Sequence, residues 1–597
     1  MKRSPEYIYC DGYDNKPITR IKNVHRFDIF NEDHKKNNIL FKLEEFEPLL
    51  INYKSTIGYD LINIASYIYC ADCQIPRGTT KDVYGENWVR HLNFYIPVIE
   101  PDLWNKPTVK DSLIKTLEFL TGDIYSFEFC KGKNVAIQYK LDLKPDSIDQ
   151  ELRNRKCVSL FSGGIDSLYA AIELLNQKRE PVFISHKSSP VLMSYRKDLM
   201  NKLREEYGKK FQNIEVTITN KNNTGKESSQ RSRSFLYASL AAAFARCFNL
   251  KDVYLSDNGP ITFNLPYTNQ NIGTLNSRST NPKFLSLFNT LLEVLWEDKA
   301  PVVSNLLIWK TRGEIVKELK ELNKSHLLSY TTSCAHTRNI SKSHPYCGIC
   351  SQCIDRRFAV EWSEISDNDD PRFHYETDIF WDNLKEGIAK THAENFYRRA
   401  NTIEQIDNIS NFYYLYPDLN IYGEDEKDFA TFVTEAYKLH KRHSNQLIEV
   451  IKRMIPDTFE KNRQNKLNSN CLMAMIYRNS AIKEEPFSEV DLNDLILIKE
   501  ARELILYGLK VDLTDSEYKF LIKLAKKPDQ WVKYKDLSGD DINVSDVVKE
   551  RKNKLQKKLL EVFKENRKSL NLIKDLFDNK QNHGYKLNLT QDQIKII

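Results

Sequence analysis

Residues 160–171 read LFSGGIDSLYAA, and the six at their centre, Ser162, Gly163, Gly164, Ile165, Asp166 and Ser167, have the composition of an anion cradle. Two adjacent glycines let a backbone turn tightly and bring its N–H groups close to a phosphate. A helix opening directly behind them adds unpaired N–H donors and a positive dipole end. The hydroxyls of Ser162 and Ser167 can donate to the same oxygens. Asp166 is the odd member, because a carboxylate beside phosphates is repelled unless a cation intervenes. Its natural roles are to hold Mg²⁺ on the β and γ phosphates or to cap the helix. A plain serine–glycine turn with a helix cap has a similar composition, but here an apolar strand leads in and an amphipathic helix leads out. The segment is not a Walker A loop, which needs GxxxxGK followed by Ser or Thr.

A second constellation is Cys334, a twelve-residue gap, then Cys347, Cys350 and Cys353 at CxxCxxC spacing. Four thiolates can close a tetrahedron round Zn²⁺, leaving no open position, so such a zinc is structural. An iron–sulfur cluster can use the same spacing. His336 and His344 lie close by, but four cysteines leave them no place as ligands. Cys70 and Cys73 form a CxxC pair with no second pair near them and read as packing. Eleven cysteines, an odd number, in a chain with no apparent secretion signal argue against a disulfide framework.

Further candidates sit at element ends. Arg231 and Arg233, in SSQRSRSF, precede a helix, where a guanidinium can clamp phosphate or carboxylate through two hydrogen bonds. His186 and Lys187 end a strand, on the edge where open α/β sheets bind ligands, and suit an adenine or ribose contact.

The elements that must position these residues are regular. Strands are expected at 157–161, 181–186, 214–219 and 252–257, alternating with helices at 166–177, 192–207 and 234–248. Short apolar strands alternating with longer helices argue for a parallel sheet covered on both faces, with right-handed crossovers. Before this, residues 1–150 read as a small α/β domain, with strands at 39–46 and 90–98 and a helix at 109–122 stopped by glycine. Residues 361–455 are helix-rich, 456–498 read as a linker, and 499–597 as a final compact unit.

The SGGIDS loop resembles the SGGxDS loop of PP-loop ATP pyrophosphatases, whose fold is the adenine nucleotide alpha hydrolase-like (HUP) type. Those enzymes cleave ATP between the α and β phosphates and attach AMP to a carbonyl or carboxyl oxygen. The cysteine segment narrows the resemblance. Thr332, Ser333 and Cys334, then Cys347, Gly348, Cys350, Cys353 and Arg356, are similar to the zinc segment of 7-cyano-7-deazaguanine synthases, the QueC family. WKTRGEIV at 309–316 resembles that family's TKxEI segment, with Arg312 where lysine is usual. Asn258 and Gly259 match its Gly-x-Asn region loosely, and Arg278, Ser279, Thr280 and Asn281 stand roughly where its substrate pocket is built.

This resemblance covers about 155–360. An N-terminal α/β extension before a QueC-like core resembles the QatC-type proteins of Qat anti-phage systems and their type IV CBASS counterparts. It implies ATP, Mg²⁺ and Zn²⁺, with Asp166, Ser167, Arg233 and Arg312 as the catalytic set. It also implies a deazaguanine-type carboxylate captured, after adenylation, by ammonia or by an amine of a partner protein of the same defence system. Two other readings stay open: a PP-loop enzyme acting on a base in tRNA or DNA, and a DNA-binding regulator whose loop senses nucleotide.

Composition fits a folded chain: 41% hydrophobic and 28% charged residues, with no apolar run long enough to span a bilayer and the cytoplasm as the expected location. The net charge of +6 is carried by 501–597, where 21 Lys and Arg face 15 Asp and Glu. A basic module on a neutral body suits nucleic acid or an acidic partner, and equally a solvated helix face. Leu513, Thr514 and Glu517, with Gly584 and Tyr585, resemble the winged-helix domain of OmpR-type regulators. Lys549, Arg551, Lys552, Lys554, Lys557 and Lys558 would then project from its recognition helix toward nucleic acid or a docked protein.

Overall fold

The computed structural model describes residues 4–13, 22–78, 88–132, 154–266, 278–420, 429–481 and 495–596. Within those spans 32, 44–45, 53–54, 188–189, 209–210, 222–226, 228, 336–340, 342, 386–387, 418, 499–502, 507–508, 539–543, 566–570, 575, 581–583 and 591–593 are left out. The fold is mixed α/β with parallel-strand sheets, and it divides into two compact units, Met1–Tyr477 and Arg478–Ile597. The expected boundaries near 150, 360 and 455 all fall inside the first unit. Among the described residues of either unit, no helix is long and apolar enough to cross a membrane.

The first unit holds two sheets. Strands β1 (Glu6–Cys10), β2 (Val24–Phe27), β4 (His91–Val98) and β5 (Ile124–Lys131) form a parallel sheet in the order β2-β1-β4-β5. Strand β3 (Ile39–Lys42) leaves that neighbourhood and pairs antiparallel with the edge of the second sheet. It is shorter than the 39–46 expected, because Phe46 instead opens a short helix, Phe46–Asn52, whose Phe46, Leu49 and Leu50 are buried.

The second sheet contains β6 (Cys157–Leu160), β7 (Pro181–His186), β8 (Asn213–Asn220), β9 (Asp252–Leu255) and β10 (Val302–Asn305), in the order β10-β9-β6-β7-β8-β3. All its pairings except β3–β8 are parallel. β7 is buried along its whole length, as a strand covered on both faces must be. Helix Arg233–Cys247 is apolar nearly all round, so it lies sandwiched, packed against helix Thr56–Gln74 from the N-terminal region. One apolar core therefore runs from Ile8 in β1 to Val303 in β10, and the N-terminal residues are not a separate core.

The order of connections matters for function. From β6 the chain moves outward through β7 to β8, then returns past β6 to β9 and continues to β10 on the other side. β6 and β9 are therefore neighbours at a topological switch point, where the loops leaving their carboxyl ends part and open a crevice.

Beyond β10, helix Arg312–Glu321 leads to the cysteine segment and helix Ser351–Trp362. Helices Ile388–Gln405 and Phe429–Arg463 pack with the latter through Phe358, Phe396, Leu447 and Ile451. The stretch expected to be a linker is partly helical: the last of these helices reaches Arg463, and another spans Leu472–Ala481.

In the second unit, β11 (Leu495–Ile498), β12 (Glu503–Leu506), β13 (Leu509–Asp512) and the final β17 (Ile594–Ile596) make one sheet. Helices Asp515–Ala525, Tyr534–Ser538 and Val544–Glu565 follow, closed by a small sheet of β14 (Val532–Lys533), β15 (Phe577–Lys580) and β16 (Gly584–Leu587). Thr514 and Glu517 form a reciprocal cap at the first helix. Gly584 is required because a Cβ there would lie 1.8 Å from the Val532 carbonyl oxygen.

Candidate active site

β6 ends at Leu160 and helix Ile165–Asn176 begins five residues later, so the loop sits at the carboxyl end of the sheet beside the switch point. Gly163 has φ +86°, a left-handed conformation that favours glycine. Gly164 is the helix cap and provides no side-chain oxygen. Asp166 is therefore not the helix cap. The serine hydroxyls are engaged inside the loop. Ser167 Oγ donates to the Gly164 carbonyl at 2.9 Å and accepts the Gly163 N–H at 3.1 Å. Ser162 Oγ donates to Ser167 Oγ at 3.2 Å and accepts the Gly164 N–H at 3.3 Å.

Asp166 turns toward β9. Its Oδ2 accepts from the Asn258 side-chain amide at 2.9 Å and from the Asn258 backbone N–H at 3.3 Å. The fork of Arg312 closes on the same carboxylate, Nη2 to Oδ2 at 3.1 Å and Nε to Oδ1 at 3.3 Å. Arg312 is buried and also meets Asp355, Nη1 to Oδ2 at 3.0 Å, and the Gln352 side chain at 2.9 Å. Burial works against its charge, but the carboxylates of Asp166 and Asp355 outweigh burial and hold its proton above the ordinary guanidinium range. Asp355 in turn lies 3.0 Å from Nε2 of His443, on helix Phe429–Arg463. Burial opposes the Asp355 charge too, yet Arg312 and His443 keep its carboxyl below the usual range. A lysine at 312 could not make the paired Nε and Nη2 contacts to the two oxygens of Asp166, so the arginine fork has a geometric reason.

Asn258 is fully buried and caps helix Gly259–Phe263, its Oδ1 accepting the Ile261 N–H at 3.3 Å. Gly259 is a close-approach position: a Cβ there would come within 2.3 Å of the Ile308 carbonyl oxygen. Beside them opens a cavity of about 260 Å³. Its walls include Arg233, Asp257 and Ser279 from the sheet edge, Gln352 and Asp355 from the cysteine segment, and Phe396, Arg399 and His443 from the two long helices. Burial and the charge of Asp166 push Asp257 above the usual carboxylate range, against a 2.9 Å hydrogen bond from Thr280.

The other expected residues are placed differently. His186 is buried, its Nε2 2.8 Å from the Ile218 carbonyl, and burial depresses it to about 4. Lys187 pairs with Glu215 at 3.3 Å. Both tie β7 to β8. Arg231 lies over Trp88 at 4.5 Å, and Arg278 donates to the Phe119 carbonyl at 2.7 Å, so neither lines the cavity. Thr280 supports Asp257 from behind, and Asn281 caps helix Pro282–Trp296.

The four cysteines come together. Cys334, Cys347, Cys350 and Cys353 are buried with all four Sγ atoms within 4.8 Å of one another, and Cys347 and Cys353 are 3.9 Å apart. Tetrahedral sulfurs around zinc at about 2.3 Å stand roughly 3.8 Å apart, so the donor set fits Zn²⁺. His344 is exposed and bonds to Ser343, whereas His336 lies outside the described residues. Gly348, with φ +77°, passes so close to Thr377 that a Cβ would sit 1.8 Å from its carbonyl oxygen. Arg356 anchors the segment, reaching Thr331 Oγ1 at 2.6 Å and stacking 4.2 Å over Tyr346.

Asp257, Asp355, Arg399 and His443 were not anticipated. Asp257 carried a usable signal, being a carboxylate at the end of a strand beside the switch point. Asp355 had one in CIDRR, two residues after the last cysteine. Arg399 and His443 had none, since they arrive on helices far along the chain. Comparison with known proteins found no matching family model, no matching curated protein and no matching solved structure.

Proposed function

We propose that the chain is a PP-loop ATP pyrophosphatase of QueC-like type, which adenylates the carboxylate of a deazaguanine-type heterocycle for capture by an amine. The carrying observation is the Ser162–Ser167 loop at the switch point, with Asp166 held by Asn258 and Arg312 beside a cavity sized for one heterocycle. Asp166 on the loop and Asp257 after β9 are the carboxylates that would hold a divalent cation. Mg²⁺ held there would offset phosphate charge. The loop amides and the helix start would hold the triphosphate. Arg233, exposed at the cavity wall, would stabilise charge developing at the α phosphate, while the cavity brings the carboxylate in line. A positioning mechanism of this kind needs no Ser–His–Asp triad.

We read the second unit as a winged helix and assign it a docking role in the same defence setting. Several lysines of its long helix pair with neighbouring acids, Lys549 with Asp546, Lys554 with Glu550 and Lys558 with Glu517, which favours a protein partner over phosphates. The test is pyrophosphate release from ATP with Mg²⁺ and 7-carboxy-7-deazaguanine, beside Asp166→Asn. Release that needs the heterocycle and disappears in the variant supports the reading. Absence of release from zinc-loaded protein overturns the free base as substrate. Release with tRNA or DNA in its place would then point to a polymer-bound base, and ATP binding without turnover to a nucleotide sensor.

A further inference from the structure

The cysteine segment touches the phosphate loop directly. The backbone N–H of Thr332 donates to the Gly163 carbonyl at 2.8 Å. On the next residue, Ser333 Oγ is buried and has no hydrogen-bond partner among the described residues. It lies beside Gly164, where a Cβ would come within 3.4 Å of it. The residue after that is Cys334, one of the four clustered thiols. Arg356 and Tyr346 fix Thr331 from the other side, through its hydroxyl and its carbonyl respectively. Segment 331–334 is thus held at both ends and pressed against the helix start.

An orphaned buried hydroxyl costs free energy unless something pairs with it. In this loop Ser162 and Ser167 already spend their hydroxyl hydrogens inside the turn. Gly164, at the helix cap, adds no side chain that would block the approach.

We propose that Ser333 donates its hydroxyl hydrogen bond to a phosphate oxygen of the bound nucleotide, and that the metal-clamped segment is what places it there. The cysteine cluster then does more than tie segments together: it presents a phosphate ligand to the loop. This inference rests on the nucleotide reading above and deepens it.

The test uses full-length, metal-loaded protein and compares wild type with Ser333→Ala in titrations with MgATP, magnesium pyrophosphate and adenosine. The variant should bind MgATP and pyrophosphate about tenfold more weakly or worse, the scale of a lost hydrogen bond to a charged group. Adenosine affinity, metal content and melting temperature should stay as in wild type. Ser333→Thr, which keeps the hydroxyl, should recover most of the loss. Wild-type binding with no change in Ser333→Ala overturns this inference alone. Equal weakening of adenosine, or loss of metal, overturns it in favour of a purely structural serine. A wild type that binds neither MgATP nor pyrophosphate removes the nucleotide reading and this inference together.

Discussion

Asp166 and Asn258 meet across the switch point: one carboxylate oxygen accepts both the side-chain amide and the backbone N–H of a residue 92 positions later. The loop after β6 is thereby locked to the loop after β9, and the same asparagine caps a helix with its other side-chain atom. Asn258→Ala removes the cap and a charge-assisted hydrogen bond together. It should lower stability by about 2–4 kcal/mol and reduce pyrophosphate release by tenfold or more, read by thermal unfolding and a coupled phosphate assay.

Arg312 is the buried cation between Asp166 and Asp355. Arg312→Met should cost about 3–5 kcal/mol by removing the buried guanidinium that both carboxylates share. Arg312→Lys should recover only part of this, since an ammonium lacks the fork that meets both oxygens of Asp166. The melting temperatures of the three proteins should fall in the order Arg, Lys, Met.

The four-thiol cluster should hold one equivalent of zinc per chain, measured by elemental analysis and by release on thiol modification. Single Cys→Ser changes at 347 or 353 should lose the metal and lower the melting temperature. Stoichiometric iron with visible absorbance would overturn the zinc assignment.

His186 makes stability depend on pH with a definite sign. Burial lowers its folded pKa from 6.5 to about 4, so the unfolded chain takes up the proton first. Its contribution is complete above pH 6.5 and lost as pH falls toward 4, amounting to roughly 3 kcal/mol. His186→Gln should flatten the fall in melting temperature between pH 6.5 and 4.

Gly584→Ala places a Cβ against the Val532 carbonyl in the second unit. Calorimetry should show one transition lowered, with zinc content and nucleotide affinity unchanged. A matching fall in both transitions would mean that the two units unfold together.

Much of the site's skeleton was legible. Strand, glycine pair and helix in LFSGGIDSLYAA are local signals, so β6, the turn and the helix at Ile165 lie within a residue of expectation. The cysteine spacing brought its four residues together because CxxCxxC fixes three of them on one turn and helix start.

What the linear pattern left open depends on which loops the sheet order makes neighbours. Arg278 looked like a ligand residue, but its partner is the Phe119 carbonyl, 159 residues earlier. His186 looked like an adenine or ribose contact at a strand end, and its Nε2 instead meets the Ile218 carbonyl of the adjacent β8.

By itself, the sequence determined the alternation of strands and helices, the Gly163–Gly164 turn between them and the four-thiol set, since each depends on residues a few positions apart. Only the tertiary structure decided that Asp166 faces Arg312 and not the helix cap, that Asp355 and His443 join them, and that the N-terminal residues share one core with the second sheet. The reason is physical. Hydrogen-bond and turn preferences act along the chain over a few residues, whereas pairing of buried charges is settled by which elements the packed core brings side by side.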